Sequence, residues 1–133
     1  MSADQGETAA GTIEAYYQAL RDGEPLGPFF ADEPGVVKFG ISETLAGYER
    51  IVDGLDDQTE TTADWFVESH DRSVTEREGF AWYHDDVRLA WTDAETGDMY
   101  DYETRWSGTL RPANGWQFVS LHVSTASPLE ASG

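Results

Sequence analysis

Two arginines, Arg88 and Arg105, stand inside runs of aromatic and β-branched residues, beside Trp82, Leu89, Trp91 and Trp106. A guanidinium in such surroundings needs an anionic or carbonyl partner, because unpaired burial of charge is costly. Its planar fork suits a carboxylate held by two hydrogen bonds. The pair is therefore a candidate anchor for a small carboxylate-bearing ligand. The acids Asp86, Asp101 and Glu103 are also within reach. Internal pairing with them, on an outer sheet face or at a dimer contact, would satisfy the same two groups.

The histidines offer less. In a strand, His84 and Asp86 share a face while Asp85 points the other way. Such a pair serves acid–base catalysis only if a substrate comes within hydrogen-bond reach, and otherwise marks a solvated strand edge. His122 lies in the run 116–126. Strict alternation there groups it with Trp116, Phe118, Ser120 and Ser124, against Val119, Leu121 and Val123; a bulge would reverse part of this. His70, His84 and His122 are isolated, there is no cysteine, and no carboxylate loop has calcium-binding spacing. Neither a metal nor a cofactor is expected. Lys38, the only lysine, is either a cavity group or a side chain snorkelling from a strand end.

These residues must be positioned by a mixed set of elements. Residues 8–22 predict a helix, with Ile13, Tyr16, Tyr17 and Leu20 at helical spacing, Thr8 or Thr12 as cap and Asp22-Gly23 as its end. Residues 25–31 predict a short helix or turn with Leu26, Phe29 and Phe30 inward. A short strand at 36–40 follows, then a helix at 47–57 that puts Tyr48, Ile51, Val52 and Leu55 on one face. Long strands are predicted at 65–76, 80–92, 99–111 and 116–126, separated by polar turns. Helices first and a meander after is an α+β pattern, and a sheet of four long strands twists strongly. The 133 residues fit one domain, with a core of about 8–127 and a tail at 128–133.

Charge excludes several functions. There are 26 acidic residues against 8 basic ones, a net −18. Disorder is excluded by five Trp, six Tyr and six Phe spread along the chain. Nothing here would neutralise a row of phosphates, so nucleic acid is not an expected partner. No apolar run has membrane-span length. The acids are scattered, which suggests a solubilising coat in a salt-rich cytoplasm rather than a docking tail. The acidic start, residues 1–10, lacks the basic opening of a signal peptide, and a cytoplasmic location is expected.

The element order resembles the nuclear-transport-factor-2-like superfamily. Ala19-Leu20-Arg21-Asp22-Gly23 before Phe29-Phe30-Ala31-Asp32, with Gly47 opening the next helix, resembles its polyketide-cyclase (SnoaL)-like branch. Val87-Arg88-Leu89, Glu103-Thr104-Arg105, Gly115-Trp116-Gln117, and His122, Ser124 and Ala126 are similar, in order, to the association domain of calcium/calmodulin-dependent protein kinase II. The resemblance covers about residues 12–127. It implies a cone, in which a curved antiparallel sheet wraps the N-terminal helices around one cavity. It also implies that Arg88 and Arg105 line that cavity as a site for small carboxylates. A third arginine of that site falls at Val123, and with Val123 facing the cavity, His122 points away. In the ketosteroid-isomerase-like branch, the base on the first strand falls at Lys38, which speaks against that chemistry here.

Together these readings give a small-molecule-binding protein. Arg88, Arg105 and Glu103 supply its polar site, Tyr17, Lys38, Trp65, Trp82, Trp91 and Val123 line it, and the outer sheet face forms a homodimer. The alternatives are a cofactor-independent cyclase, isomerase or hydrolase using His84, Asp86 or His122, and a dimerisation module with a relic pocket.

Overall fold

The structure, a computed structural model, describes residues 8–113 and 115–126. Helix α1 spans Ala9–Asp22. Thr8 caps it by accepting a hydrogen bond from the Gly11 amide, and Gly23 ends it in the left-handed conformation. Its stripe of Ile13, Tyr16, Tyr17 and Leu20 is buried. A turn of 3₁₀ helix at Gly27–Phe29 follows, then strands β1 (Val37–Phe39) and β2 (Thr44–Ala46). Helix α2, Tyr48–Thr61, starts at Gly47, whose φ of 96° no side-chain-bearing residue adopts easily. Strands β3 (Thr62–Ser69), β4 (Ser73–Arg77), β5 (Phe80–Asp93), β6 (Met99–Ala113) and β7 (Gly115–Ser124) complete the chain.

The strands form one curved, unclosed sheet in the order β2-β1-β7-β6-β5-β3, with β4 also paired to β5. The pairings are antiparallel except β1 with β7, which is parallel. The helices cover its inner face. Burial alternates strictly along β5 and β6: Ala81, Tyr83, Val87 and Leu89 face in, as do Tyr102, Thr104, Trp106 and Leu110.

Two irregularities depart from the sequence expectation. The run 65–76 is two strands, not one. Asp85, buried on β5, accepts hydrogen bonds from Ser69 Oγ (2.7 Å), Tyr17 Oη (2.9 Å) and the Asp71 amide (3.1 Å). Holding the chain at Ser69 and Asp71, it makes the corner between β3 and β4, and both then pair with β5. In β7, Thr109 opposes Ser120 but Leu110 opposes Phe118, so Val119 is a bulge. The bulge resets the alternation. Trp116 and Phe118 face in, and so do Leu121 and Val123 beyond it. Strict alternation had divided these residues between the two faces.

Candidate functional site

Between the helices and the inner sheet face lies a cavity of about 250 Å³. Its apolar wall is Tyr16 and Leu20 of α1, Trp65 of β3, Leu89 and Trp91 of β5, Trp106 of β6 and Val123 of β7. Its polar side is Lys38 of β1, the turn 40–43, and Asp57, Gln58, Thr61 and Thr62 at the end of α2.

The indoles are fixed in place. Trp106 donates to Thr104 Oγ1 at 2.9 Å, and that hydroxyl donates to the Val87 carbonyl at 2.6 Å. Trp65 donates to Thr62 Oγ1 at 2.8 Å. A second bulge, in β3, seats Trp65 opposite Trp91: Asp64 takes a left-handed φ of 56°, a conformation aspartate tolerates better than most residues. The Trp65 and Trp91 rings stack at 4.9 Å, and Tyr100 stacks on Trp91 at 5.1 Å.

Lys38 is the one cation among the lining residues, which also include the carboxylates Glu43 and Asp57. It is 6% exposed, at a strand position flanked by Leu45 and Leu121. Glu43 Oε1 accepts from its ammonium at 3.1 Å. The turn that carries Glu43 is closed by the Gly40 amide donating to the Glu43 carbonyl at 2.9 Å. A Cβ at position 40 would lie 2.9 Å from Glu43 Oε1 and 3.2 Å from Lys38 Nζ, so a glycine lets the pair lie across the backbone. An ammonium has three donors, and Glu43 is the one hydrogen-bond partner it has among the described residues. The Tyr16 phenol on the same wall is pushed well above its ordinary range, first by burial and then by the charges of Tyr83 and Glu43. It stays an O–H donor at any physiological pH.

Of the residues expected at the site, Lys38, Trp65, Trp91 and Val123 line the cavity. Arg88, Arg105, Glu103 and Trp82 are exposed on the outer face of the sheet, and this corrects the expectation of an arginine-anchored cavity. They occupy the even positions of β5 and the odd positions of β6, opposite in parity to the buried residues. Arg88 instead donates to both oxygens of Asp101, at 3.1 and 2.7 Å, above the Phe66 ring. Arg105 stands directly across from Asp86. Tyr17 is buried but points to Asp85, not into the cavity. The suggested catalytic groups His84, Asp86 and His122 are also exposed on the outer face, His122 against the edge of Phe39. No substrate in the cavity could reach them. Tyr16, Glu43 and Trp106 were not singled out as site residues. The spacing Lys38-x-Gly40-x-x-Glu43, a lone lysine followed by a glycine turn and an acid, was the available signal for one of them. Among the described residues no cluster of metal-binding side chains occurs, and no helix is long and apolar enough to cross a membrane.

Residues 10–128 match the model of the SnoaL-like domain, and the chain belongs to that family. No similar protein is found among curated ones. Solved structures share the fold. A nuclear transport factor 2-like superfamily protein from Salmonella enterica serovar Typhimurium is 17% identical, with a TM-score of 0.74, covering 91% of this chain and 88% of its own. A proposed calcium/calmodulin-dependent protein kinase II association domain from Xanthomonas campestris is 20% identical, with a TM-score of 0.72 and coverages of 90% and 88%. A proposed aromatic ring hydroxylase from Novosphingobium aromaticivorans is 16% identical, with a TM-score of 0.75 and coverages of 90% and 87%. At these identities the likeness is one of fold, which hosts unrelated activities.

Proposed function

We propose that the protein binds a small, flat organic acid in the inner cavity, with Lys38 rather than an arginine as the anchor. The observation that carries this is the buried Lys38 ammonium, which has more donors than partners at the edge of a wall of three tryptophans and a tyrosine. Aromatic walls with a few convergent polar groups suit planar ligands, and Lys38, the one cation among the lining residues, has spare donors for an anionic group beside Glu43. Glu43 then has a definite role. Its carboxylate holds the lysine in the free protein, and the carboxylate of the ligand would replace it.

The test is a thermal-shift screen of aromatic carboxylates, such as benzoate and cinnamate, in molar KCl. A bound acid raises the melting temperature by mass action. The proposal expects shifts in the wild type and in Glu43→Gln, and none in Lys38→Met. Equal shifts in wild type and Lys38→Met would overturn it.

Catalysis is a second reading, favoured by the same geometry. Glu43 is an acceptor beside two donors, Lys38 and Tyr16, so a proton could leave a substrate carbon for Glu43 while the donors stabilise the oxyanion that develops. Turnover without added cofactor, lost in Glu43→Gln, would favour it over binding alone. The open cavity argues against a dimerisation module with a filled relic pocket. The acidic coat fits a protein that works in a salt-rich cytoplasm.

A further inference from the structure

Seven of the eight cations in this chain are arginines, and all seven stand at least partly in solvent. The eighth is Lys38, buried on the cavity wall. An anion needs only the charge, which either residue supplies. Only lysine has an amine that can give up a proton and attack carbon, since a guanidinium stays protonated. The surroundings of Lys38 supply what such an attack requires. Glu43 Oε1 lies 3.1 Å from its nitrogen and can carry a proton to or from it. Gly40 keeps the space over the pair clear of a side chain, for a Cβ there would lie 3.2 Å from Nζ. Tyr16, whose phenol feels the charge of Glu43, lines the same cavity and offers an O–H donor. A benzene ring fits a cavity of about 150 Å³, and this one has about 250 Å³.

We infer that Lys38 is a nucleophile, and that the cavity captures an aldehyde or ketone carried on a flat ring as an imine on Nζ. Each atom of the step has a place. The Lys38 ammonium passes a proton to Glu43, leaving a free amine and a carboxylic acid. The nitrogen attacks the carbonyl carbon and forms the C–N bond, while the π pair of the C=O bond moves to oxygen, toward which the Tyr16 hydroxyl can donate. Glu43 gives its proton to that oxygen and takes one from the nitrogen, which leaves a neutral carbinolamine. A second donation from Glu43 expels the hydroxyl as water as the nitrogen lone pair closes the C=N bond. The product is a protonated imine beside the Glu43 carboxylate. One water is released, and the pair carries the same charges as before. This inference rests on the same cavity and lysine as the proposed function, but not on a carboxylate in the ligand.

The test is reductive trapping. Benzaldehyde and sodium cyanoborohydride are added to the full chain in molar KCl, and the adduct is read by intact mass and peptide mapping. The chain has one lysine, so its only other primary amine is the α-amino terminus. An ordinary exposed lysine, with the higher pKa, would react more slowly than that terminus. The expected result is one benzyl group on Lys38, formed at least about tenfold faster than on the terminus or on a short lysine peptide. Lys38→Met should lose that adduct, and Glu43→Gln should slow it at least about tenfold. An adduct confined to the terminus in the wild type would overturn the inference, and so would a Lys38 rate no greater than that of the peptide. An unchanged rate in Glu43→Gln would overturn the proton transfers given to Glu43. Benzoate binding separates this claim from the proposed function. Capture without benzoate binding removes the anion reading alone, and benzoate binding without capture removes this inference alone.

Discussion

Leu121 and His122 are neighbours in β7, yet they stand in opposite surroundings. Leu121 is fully buried among the core side chains behind the cavity, while His122 meets solvent and the edge of Phe39. The same contrast runs along β5 and β6. Inward positions are aromatic or aliphatic apart from Asp85 and Thr104, and Leu89, Trp91 and Trp106 among them form cavity wall; outward positions carry arginines, acids and exposed aromatics. One sheet thus presents two different surfaces, because successive side chains point to opposite faces. Inside, Lys38 stands with Glu43 and Asp57 on the polar side of a cavity whose other wall is aromatic and aliphatic. Outside, Arg88 and Arg105 alternate with Asp86, Asp101 and Glu103 across β5 and β6.

The contrast can be broken most sharply in the core. Leu121→Ala should destabilise the fold by about 2–5 kcal/mol, as large-to-small core changes do, and His122→Ala by less than about 0.5 kcal/mol per chain. Urea denaturation of both variants checks this, and comparable losses would mean that the bulge at Val119 does not set the faces as described. The Asp85 corner comes next. Asp85→Ala leaves Tyr17 Oη, Ser69 Oγ and the Asp71 amide without their acceptor, which should cost about 3 kcal/mol and loosen β3 against β4. Hydrogen exchange at residues 69–73 is the readout. The coat should matter by a smaller amount. Melting temperature should rise by about 4 °C or more between dilute buffer and molar KCl, and a flat response would remove salt dependence from the account.

The smallest effect sharpens the outer face. The hydrogen bonds from Arg88 hold the Asp101 carboxyl below its ordinary range, against the opposing effect of desolvation and with the help of the Arg88 charge. A carboxylate with a lowered pKa contributes stability above its unfolded value near pH 4, and that contribution is lost as pH falls through the lowered one. The pair is exposed, so the effect on stability is slight. The carboxyl shift followed by NMR should titrate low in the wild type and return to its ordinary value in Arg88→Gln.

Much of the fold was legible because its signals are local. The stripe of α1, its Thr8 cap, the helix begun by Gly47 and the long β-rich runs all reappear, and the family resemblance joined them correctly. What could not be read was which face each strand residue takes after an interruption. The Val119 bulge depends on pairing with β6, and the break at 70–72 depends on Asp85, 14 residues later in the chain. The arginines were misplaced for a related reason. Their apolar neighbours in sequence point to the opposite face, so a run that looks like buried surroundings is only half of them. Lys38 could be noticed as a lone lysine, but its burial follows from the parallel pairing of β1 with β7, which no local pattern announces.

The central claim is that the inner lysine, not the outer arginines, recognises the ligand. Its most direct test is isothermal titration of the best acid from the screen into three proteins: wild type, Lys38→Met and Arg105→Gln. The account predicts that binding is abolished in Lys38→Met and unchanged in Arg105→Gln. Binding that survives in Lys38→Met and disappears in Arg105→Gln would contradict it.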